Sequence, residues 1–196
     1  MRSFPGVVLA AGFLFVVALA PARVGATLVG QLVGVSLGDG GALALFDAVV
    51  VAEPGAEITP GDGSEIGGVL LPSESIDIGE QGVVLVLEEG AAGGATGYPA
   101  GTVLLLSNLV FFDVETRIVG VTVSTGNITN FAGVSFTDDS LTVPLDALVI
   151  GDLPGVDIGS ITIDLEVEIV PEPTGAALVA GLALLALAKR RSLRAG

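Results

Sequence analysis

The alternation of apolar and polar residues over residues 160–170 is the feature that most constrains the fold. Isoleucine, leucine and valine occupy every second position from Ile161 to Ile169, and threonine and carboxylates fill most positions between them. A period of two is that of a β-strand with one buried face and one face in water. On a helix the same apolar residues would be spread around the cylinder. The segment therefore predicts a strand whose carboxylates face solvent.

Apolar runs separated by turn residues continue through the body of the chain. Residues 75–88 have the layout of a hairpin, with Gly79 and Gly82 between two apolar stretches. Further runs cover residues 27–37, 43–51, 103–112, 117–125, 134–136, 141–145 and 148–150. Short strands at intervals of about 8–12 residues, with Gly and Pro between them, are typical of a sandwich. We therefore expect residues 27–170 to form one all-β domain, a single antiparallel, jelly-roll-like β-sandwich.

Two segments are open to a second interpretation or lack a clear element. Residues 43–51 contain enough Ala and Leu to form a short helix instead of a strand. Residues 90–101 are rich in Ala and Gly, which bury little surface, and we predict a mobile loop there.

The charge of the chain is concentrated in this body. All 22 acidic residues lie between residues 27 and 173, where Arg117 is the only basic residue, so the net charge of that span is −21. Most of these carboxylates must therefore be solvated at the surface, where their repulsion favours solubility. The charge argues against binding to nucleic acids, whose phosphates require basic patches. Non-specific binding of divalent cations is compatible with it.

Residue types that carry catalysis are scarce. The chain has no His and no Cys, and its body has no Lys. Residues 34–38 (Gly-Val-Ser-Leu-Gly) match the nucleophile elbow of hydrolases, but without a His base the match is coincidental. Residues 157–160 (Asp-Ile-Gly-Ser) lack a hydroxyl residue of the aspartic-protease box and are interpreted as a turn. With no Trp and Tyr98 as the only Tyr, a glycosidase has almost no stacking platform. We expect no enzymatic activity and no cofactor.

Acidic turns offer the only candidates for a metal site. Asp138 with Asp139, and Asp62 with Glu65, could supply oxygen ligands for calcium. No EF-hand loop or calcium-binding repeat accompanies them, so we interpret them as solvated turn residues and predict no defined metal site.

Two other features have a structural interpretation. Residues 127–129 (Asn-Ile-Thr) fit a glycosylation sequon, and we predict a turn leading into a strand there. The phenylalanines are predicted to lie in the core: Phe111, Phe112, Phe131 and Phe136.

The N-terminal segment has the layout of a secretory signal peptide. Arg2 precedes an uncharged, apolar stretch over residues 4–22, and small residues follow at 20–22 and 24–26. We predict cleavage by signal peptidase after Ala26, because Pro21 disfavours extended binding at the upstream site. Residues 1–26 are therefore assigned to a signal peptide, with an uncleaved signal anchor as the alternative.

The C-terminal segment combines prolines, an apolar run and a basic end. Residues 171–173 (Pro-Glu-Pro) precede 15 uncharged residues, 174–188, and then Lys189, Arg190 and Arg191. As a helix the run would be about 22 Å long, short for a bilayer core of about 30 Å, although basic side chains can extend it by snorkelling. The positive-inside rule then keeps the basic end cytoplasmic and the body outside. Hydropathy alone is also compatible with a plain single-pass anchor.

This order of residues closely resembles the PEP-CTERM sorting signal of Gram-negative bacteria over residues 170–196. The resemblance implies that an exosortase, a membrane transpeptidase, recognises Pro171, Glu172 and Pro173 and processes the tail. These three are then substrate residues and not catalysts. The resemblance further implies transient insertion in the inner membrane and delivery to the cell surface or extracellular matrix, together with exopolysaccharide production.

The sequence thus predicts three parts: a signal peptide (1–26), an acidic β-sandwich (27–170) and a sorting signal with a transmembrane helix (171–196). The expected partners are signal peptidase, exosortase and an exopolysaccharide of the biofilm matrix. The expected role is structural or adhesive. Two alternatives stay open: a glycan- or calcium-binding adhesion module, and a plain membrane-anchored periplasmic protein.

Overall fold

The computed structural model describes residues 26–170, apart from 39–43, 91–95, 112–114 and 152–155. This part of the chain is all-β, with antiparallel pairing throughout and no helix. Its strands are β1 (Leu32–Gly38), β2 (Ala44–Val50), β3 (Ser75–Ile78), β4 (Gly82–Glu88), β5 (Val103–Ser107), β6 (Thr116–Gly126), β7 (Ile128–Thr129), β8 (Ser135–Phe136), β9 (Leu141–Pro144), β10 (Val149–Ile150) and β11 (Ile158–Ile169). The predicted all-β class is therefore confirmed.

Three sheets organise these strands. The five-stranded sheet has the order β2-β1-β5-β9-β8, the four-stranded sheet has the order β3-β4-β11-β6, and β10 pairs with β7 in a small third sheet. The packing of these sheets as a jelly-roll-like sandwich stays a prediction.

The strand β11 confirms the period-two pattern. Ile161 and Ile163 are fully buried and Leu165 is 6% exposed, whereas the intervening Asp164 and Glu166 face solvent. The strand starts at Ile158, so the predicted turn over residues 157–160 is wrong. Ile158 pairs with Glu88 of β4, because the buried phase of the pattern extends back to Gly159.

The predicted hairpin is also confirmed. β3 and β4 pair from Ser75 opposite Val86 to Ile78 opposite Val83, and Gly79 N–H donates to the Gly82 carbonyl at 2.9 Å. Their inward side chains alternate with outward ones at the period that the sequence predicts.

The helical alternative for residues 43–51 is not formed. Residues 44–50 are strand β2, which pairs along its whole length with β1, from Leu32 opposite Val50 to Gly38 opposite Ala44. Local helix propensity is weak compared with a full ladder of interstrand hydrogen bonds and the burial that comes with it.

The inward faces of the two larger sheets contribute to one hydrophobic core. Val33, Val35 and Leu37 of β1 belong to the same buried cluster as Leu85 of β4 and Ile161 of β11. Phe111 is 2% exposed and Phe131 packs against the cluster, as predicted, but Phe136 is 41% exposed, so its predicted place in the core is wrong. Phe136 lies on the short edge strand β8, where no further strand covers it. Phe112 is outside the described residues.

The loop predicted over residues 90–101 buries more than expected. Among its described residues, Thr96 is 3% exposed, and Tyr98 packs against the core cluster. The expectation of a loop that buries little is therefore wrong for this part.

Both predicted targeting segments lie almost entirely outside the described residues. This holds for residues 1–25, for Pro171, Glu172 and Pro173, for the apolar run 174–188, and for Lys189, Arg190 and Arg191. A search of the described ranges finds no helix with the length and apolar character needed to cross a bilayer.

Candidate functional site

The outer face of the five-stranded sheet is uncharged at every described strand position. Strand pairing places Ser36 between Phe46 and Leu105 on this face, and Leu32 opposite Val50. The outward residues are Leu32, Gly34, Ser36, Gly38, Ala44, Phe46, Ala48, Val50, Val103, Leu105, Ser107, Ser135, Thr142 and Pro144. Leu32, Phe46 and Val50 are 53%, 57% and 59% exposed. We call this surface the uncharged face.

The outer face of the four-stranded sheet has the opposite character. Its outward residues include five carboxylates, Asp77, Glu88, Asp164, Glu166 and Glu168. Arg117 of β6 lies opposite Glu168 and forms an ion pair with it at 2.9 Å, with both side chains at least half exposed. We call this surface the acidic face.

Most outward positions of β1 in the uncharged face hold small residues. Gly34, Ser36 and Gly38 follow one another at outward positions. A Cβ atom built on Gly34 would lie 2.7 Å from Ser107 Oγ and 3.2 Å from Cε2 of Phe46, so the Phe46 ring leans over the glycine. The Ser107 hydroxyl also donates to the Gly34 carbonyl at 3.3 Å. Residues of strands β1, β2 and β5 thus fix the shape of this part of the uncharged face.

Two carboxylates form hydrogen bonds at the β2 edge of this sheet. β2 is the edge strand, and its Phe46 N–H donates to Oε2 of Glu65 at 3.4 Å. On the inward side, Asp47 accepts hydrogen bonds from the N–H groups of Glu65 and Ile66 at 3.0 and 2.7 Å. The loop that carries Glu65 is therefore pinned to β2.

Asp62, predicted as a candidate calcium ligand, instead holds its own loop together through hydrogen bonds. Both Asp62 carboxylate oxygens accept hydrogen bonds, Oδ2 from Thr59 N–H and Oδ1 from the N–H and hydroxyl of Ser64, at 2.6–2.9 Å. Partial desolvation opposes ionisation, but these hydrogen bonds outweigh it and lower the pKa of Asp62. Its oxygens are thus already used in holding the turn.

The second candidate is likewise part of a turn. Asp139 accepts a hydrogen bond from the Thr137 hydroxyl at 3.1 Å, and the Asp138 carbonyl accepts one from Ile118 N–H at 2.8 Å. Within the described ranges, no cluster of three or more acidic, His or Cys side chains could hold a metal ion.

Glu74 is the carboxylate that departs from the expectation of solvated acids. It is 2% exposed, and it accepts hydrogen bonds from Leu71 N–H at 2.8 Å, the Tyr98 hydroxyl at 3.0 Å and Glu88 N–H at 3.3 Å. Burial raises the pKa of Glu74, and the hydrogen bonds only partly oppose the shift. Burial and the neighbouring Glu74 also raise the pKa of Tyr98. The pair ties the loop carrying Tyr98 to the start of the β3–β4 hairpin.

A signal for the burial of Glu74 exists in the sequence. Glu74 immediately precedes β3 and is two residues before Ile76 and four before Ile78, so it shares their inward phase. Extending the period-two pattern by one step would have predicted its burial. Nothing in the sequence pairs it with Tyr98, which lies 24 residues away.

Two cavities of the described part are either very small or open to solvent. Leu37, Leu104, Ile76 and Leu85 line one internal cavity of about 10 Å³, enough for one water molecule at most. A second, open depression of about 380 Å³ lies between Val49, Val50 and the loop that ends at Glu57. The Glu57 carboxylate there accepts hydrogen bonds from Ala52 and Ile78 N–H groups, and burial raises the pKa of Glu57.

The sequence motifs occupy regular structure. Residues 34–38, which match the hydrolase elbow, form most of strand β1, without the strand-to-helix turn that an elbow requires. Asn127 lies between β6 and β7 with φ of 55°, which confirms the predicted turn leading into a strand. Its amide donates to the carbonyls of Val156 and Ile158 at 3.0 and 2.9 Å, so the side chain fastens this turn to β11.

Ala26, the predicted cleavage position, is the one predicted targeting residue that the structure describes. It is 3% exposed, and its carbonyl accepts a hydrogen bond from the Gln81 amide at 2.7 Å. Leu28, two residues further on, is fully buried and its N–H donates to the Glu80 carbonyl at 2.9 Å. Cleavage after Ala26 would thus remove one hydrogen bond and leave the anchoring Leu28 in place.

Comparisons with known proteins identify no relative: no protein family, no curated protein and no solved structure matches this chain.

Proposed function

We propose that this chain is an exported, non-enzymatic structural protein of the cell surface or exopolysaccharide matrix, sorted by an exosortase through its tail. The observation that carries the proposal is the order of residues at the C-terminal end: Pro171, Glu172 and Pro173, an uncharged run, then Lys189, Arg190 and Arg191. In the proposed sequence of events, signal peptidase acts first, the tail arrests the chain in the inner membrane, and the exosortase then processes it.

The end of the folded body supports an accessible sorting box. β11 ends at Ile169, and Val170 N–H donates to the Glu115 carbonyl at 2.8 Å. The box begins at the next residue, and its prolines cannot continue the ladder because they lack an N–H group. We therefore expect that an enzyme in the membrane can reach the box without unfolding the body.

We further propose that the body is a single jelly-roll-like β-sandwich. The inward residues of the five-stranded and four-stranded sheets belong to one buried cluster, and the small cavity is lined by residues of both. Two sheets that share a core in this way are most simply arranged face to face.

A structural role accounts for how the carboxylates are used. Asp47, Asp62 and Glu74 hold backbone N–H groups of loops, so their oxygens serve the fold. The alternative of a calcium- or glycan-binding module predicts micromolar saturation in calorimetric titrations of the full chain. We expect none with calcium, alone or with glycans.

Localisation of sorting-box variants tests the proposal. Pro171→Ala combined with Pro173→Ala should retain the protein in the inner membrane of a host with its exosortase. Glu80→Gln, at an exposed position 92 residues before Glu172 in the sequence, serves as the charge-matched control for Glu172→Gln. Surface fractions should contain the wild type and the control, but not the box variants. Equal surface delivery of all forms would support the plain anchored protein instead.

A further inference from the structure

We propose that strand β6 is a docking edge for an extended, basic segment of another protein, which adds to the four-stranded sheet as a fifth strand. This inference concerns the described strands only and does not depend on the sorting tail. It rests on the unpaired backbone groups of β6, the state of the other sheet edges and the position of one carboxylate.

The backbone of β6 carries unpaired hydrogen-bonding groups on its outer side. β6 is the last strand of its sheet, so it pairs with β11 alone. Leu165 N–H of β11 donates to the Gln81 carbonyl beside β4, so the next residue, Asp164, hydrogen-bonds toward β6, where it lies opposite Thr122. No described residue hydrogen-bonds to the backbone groups of β6 that alternate with those of Thr122. The residues whose N–H and C=O groups point away from the sheet in this way are Val121, Val123 and Thr125.

The open part of β6 is a regular, uncharged stretch. Before it, Ile118 N–H donates to the Asp138 carbonyl at 2.8 Å, and Val119 is the extra residue at the register shift between β6 and β11. Residues 121–125 then pair with β11 in unbroken register and include no charged residue and no proline. Charges, prolines and bulges are the devices that block an exposed edge. Residues 121–125 carry none of them, and we call this stretch the open edge.

The other edges of the two larger sheets are blocked or short. At the β2 edge, the Glu65 carboxylate accepts the Phe46 N–H that an incoming strand would need. At the β3 edge, Ile76 exchanges backbone hydrogen bonds with Ile58 in both directions, at 3.0 and 3.1 Å. The edge strand β8 has only two residues. Among the described strands of these sheets, β6 therefore offers the edge most suited to an added strand.

The side chains of the open edge define the residues that an added strand should carry. Val121 and Val123 pack against the core cluster but stay only partly buried. Residues directly opposite each other on neighbouring strands share one face of the sheet. Apolar residues at every second position of the added strand would therefore complete the burial of these valines. Backbone hydrogen bonds supply the affinity in such strand addition, and alternate side chains supply the specificity.

The charge at the open edge identifies a basic segment as the occupant. A Cβ atom built on Gly120 would lie 2.7 Å from Oε2 of Glu166, so this carboxylate reaches across β6 from β11. Arg117, the only basic residue between residues 27 and 173, is already paired with Glu168 at 2.9 Å. With strands about 4.8 Å apart, a Lys or Arg opposite Gly120 on the added strand lies within reach of Glu166. An acidic segment, or a second body of net charge −21, would be repelled.

A designed peptide tests the open edge directly. Every strand pair of this sheet is antiparallel, so the probe acetyl-Thr-Val-Thr-Val-Thr-Val-Lys-amide would run from opposite Gly126 to opposite Gly120, with its valines inward and its lysine near Glu166. One control peptide has Glu in place of Lys. A second control carries N-methyl groups on its valines, which removes the N–H groups that would face β6.

Calorimetric titration of the full chain in neutral detergent measures binding of these peptides. We expect saturable binding of the Lys peptide with a Kd on the order of 100 μM. The Glu peptide should bind about tenfold more weakly, because an attraction is replaced by a repulsion. The N-methylated peptide should show no saturation.

Variants of the chain separate the backbone contribution from the charge contribution. Val123→Pro removes an N–H group from the open edge and should weaken the Lys peptide about tenfold, whereas Val123→Thr keeps that group and should change affinity less than about twofold. Glu166→Gln should weaken the Lys peptide about threefold and strengthen the Glu peptide. Asp77→Asn, an outward position on the opposite edge strand β3, is the charge-matched control and should change neither. Circular dichroism confirms that each variant is folded.

Several results would overturn the proposal. They are no saturation by the Lys peptide, equal binding of the N-methylated peptide, and equal effects of Glu166→Gln and Asp77→Asn on the two charged peptides. A mass of twice that of the chain in sedimentation without peptide, lost in Val123→Pro, would make a second copy the occupant and would also overturn it. The peptide controls keep the test decisive if Val123→Pro does not fold.

Discussion

The outer faces of the two larger sheets use the same strand alternation but carry opposite kinds of side chain. Most inward positions on both sheets are Val, Leu or Ile, as in β1 and β11. Outward positions on the four-stranded sheet include five carboxylates, whereas those on the five-stranded sheet are uncharged. The difference shows that charge is distributed by face in this molecule, although the composition alone suggests a uniformly acidic surface.

The acidic face and the uncharged face are suited to different roles. The acidic face includes strand β11, and its carboxylates keep the body solvated. The uncharged face belongs to β1, β2, β5, β8 and β9, and it leaves room for contact with another molecule. Exposed apolar patches of this kind mark interaction surfaces more often than chance.

The largest expected effect comes from the carboxylate that belongs to neither face. Glu74→Gln should lower the free energy of unfolding by about 2–3 kcal/mol, because an amide cannot accept all three hydrogen bonds that Glu74 accepts. Glu166→Gln on the acidic face should change it by less than about 0.5 kcal/mol. Urea unfolding of the full chain, followed by circular dichroism, measures both.

The loss of unfolding free energy caused by Glu74→Gln should depend on pH. The folded-state pKa of Glu74 is raised above 4.5, so its contribution to stability is complete below pH 4.5 and declines as the pH rises through the folded pKa. The cost of Glu74→Gln should therefore be greater near pH 4 than at about pH 8. A cost that grows toward pH 8 would contradict this assignment.

Two glycines give a smaller and more local comparison of the faces. Gly34→Ala on the uncharged face should destabilise by about 1–2 kcal/mol, because the new Cβ meets Ser107 and the Phe46 ring. Gly120→Ala on the acidic face meets the Glu166 side chain, with its closest contact, 2.7 Å, at the flexible carboxylate end. Thermal unfolding should show Gly120→Ala within about 0.5 kcal/mol of wild type. If the two variants cost the same, the packing of Phe46 over Gly34 is not what shapes the face.

The smallest effect is expected at the ion pair of the acidic face. Arg117→Gln removes the partner of Glu168, but both side chains are at least half exposed and screened by water. We expect no resolvable change in the midpoint of thermal unfolding at about 0.15 M salt. A clear loss of stability would mean that this single cation organises the carboxylates around it.

Most of the fold followed from alternation and turn chemistry. The β11 pattern and the β3–β4 hairpin were predictable because one phase of each strand is apolar and glycine punctuates the ends. The start of β11 was missed because Asp157 and Gly159 are turn-formers locally, whereas pairing with β4 fixes the backbone. Phe136 was misplaced because a single aromatic residue does not reveal that its strand lies at a sheet edge.

The candidate surfaces were harder to predict. Apart from Asp47, residues 43–51 are apolar in both phases, which is typical of a strand buried on both faces, yet β2 is an edge strand with an exposed outer side. Sheet order decides this, and it depends on contacts between residues far apart in the chain. The link between Glu74 and Tyr98 is of the same kind.

Intact-mass analysis of the native protein, isolated from the surface of the producing cell, tests the central claim most directly. We expect a chain that starts at Thr27 and ends at or near the Pro171–Pro173 box, without the apolar run 174–188 or Lys189, Arg190 and Arg191. A mass equal to that of the complete 196-residue chain would contradict it.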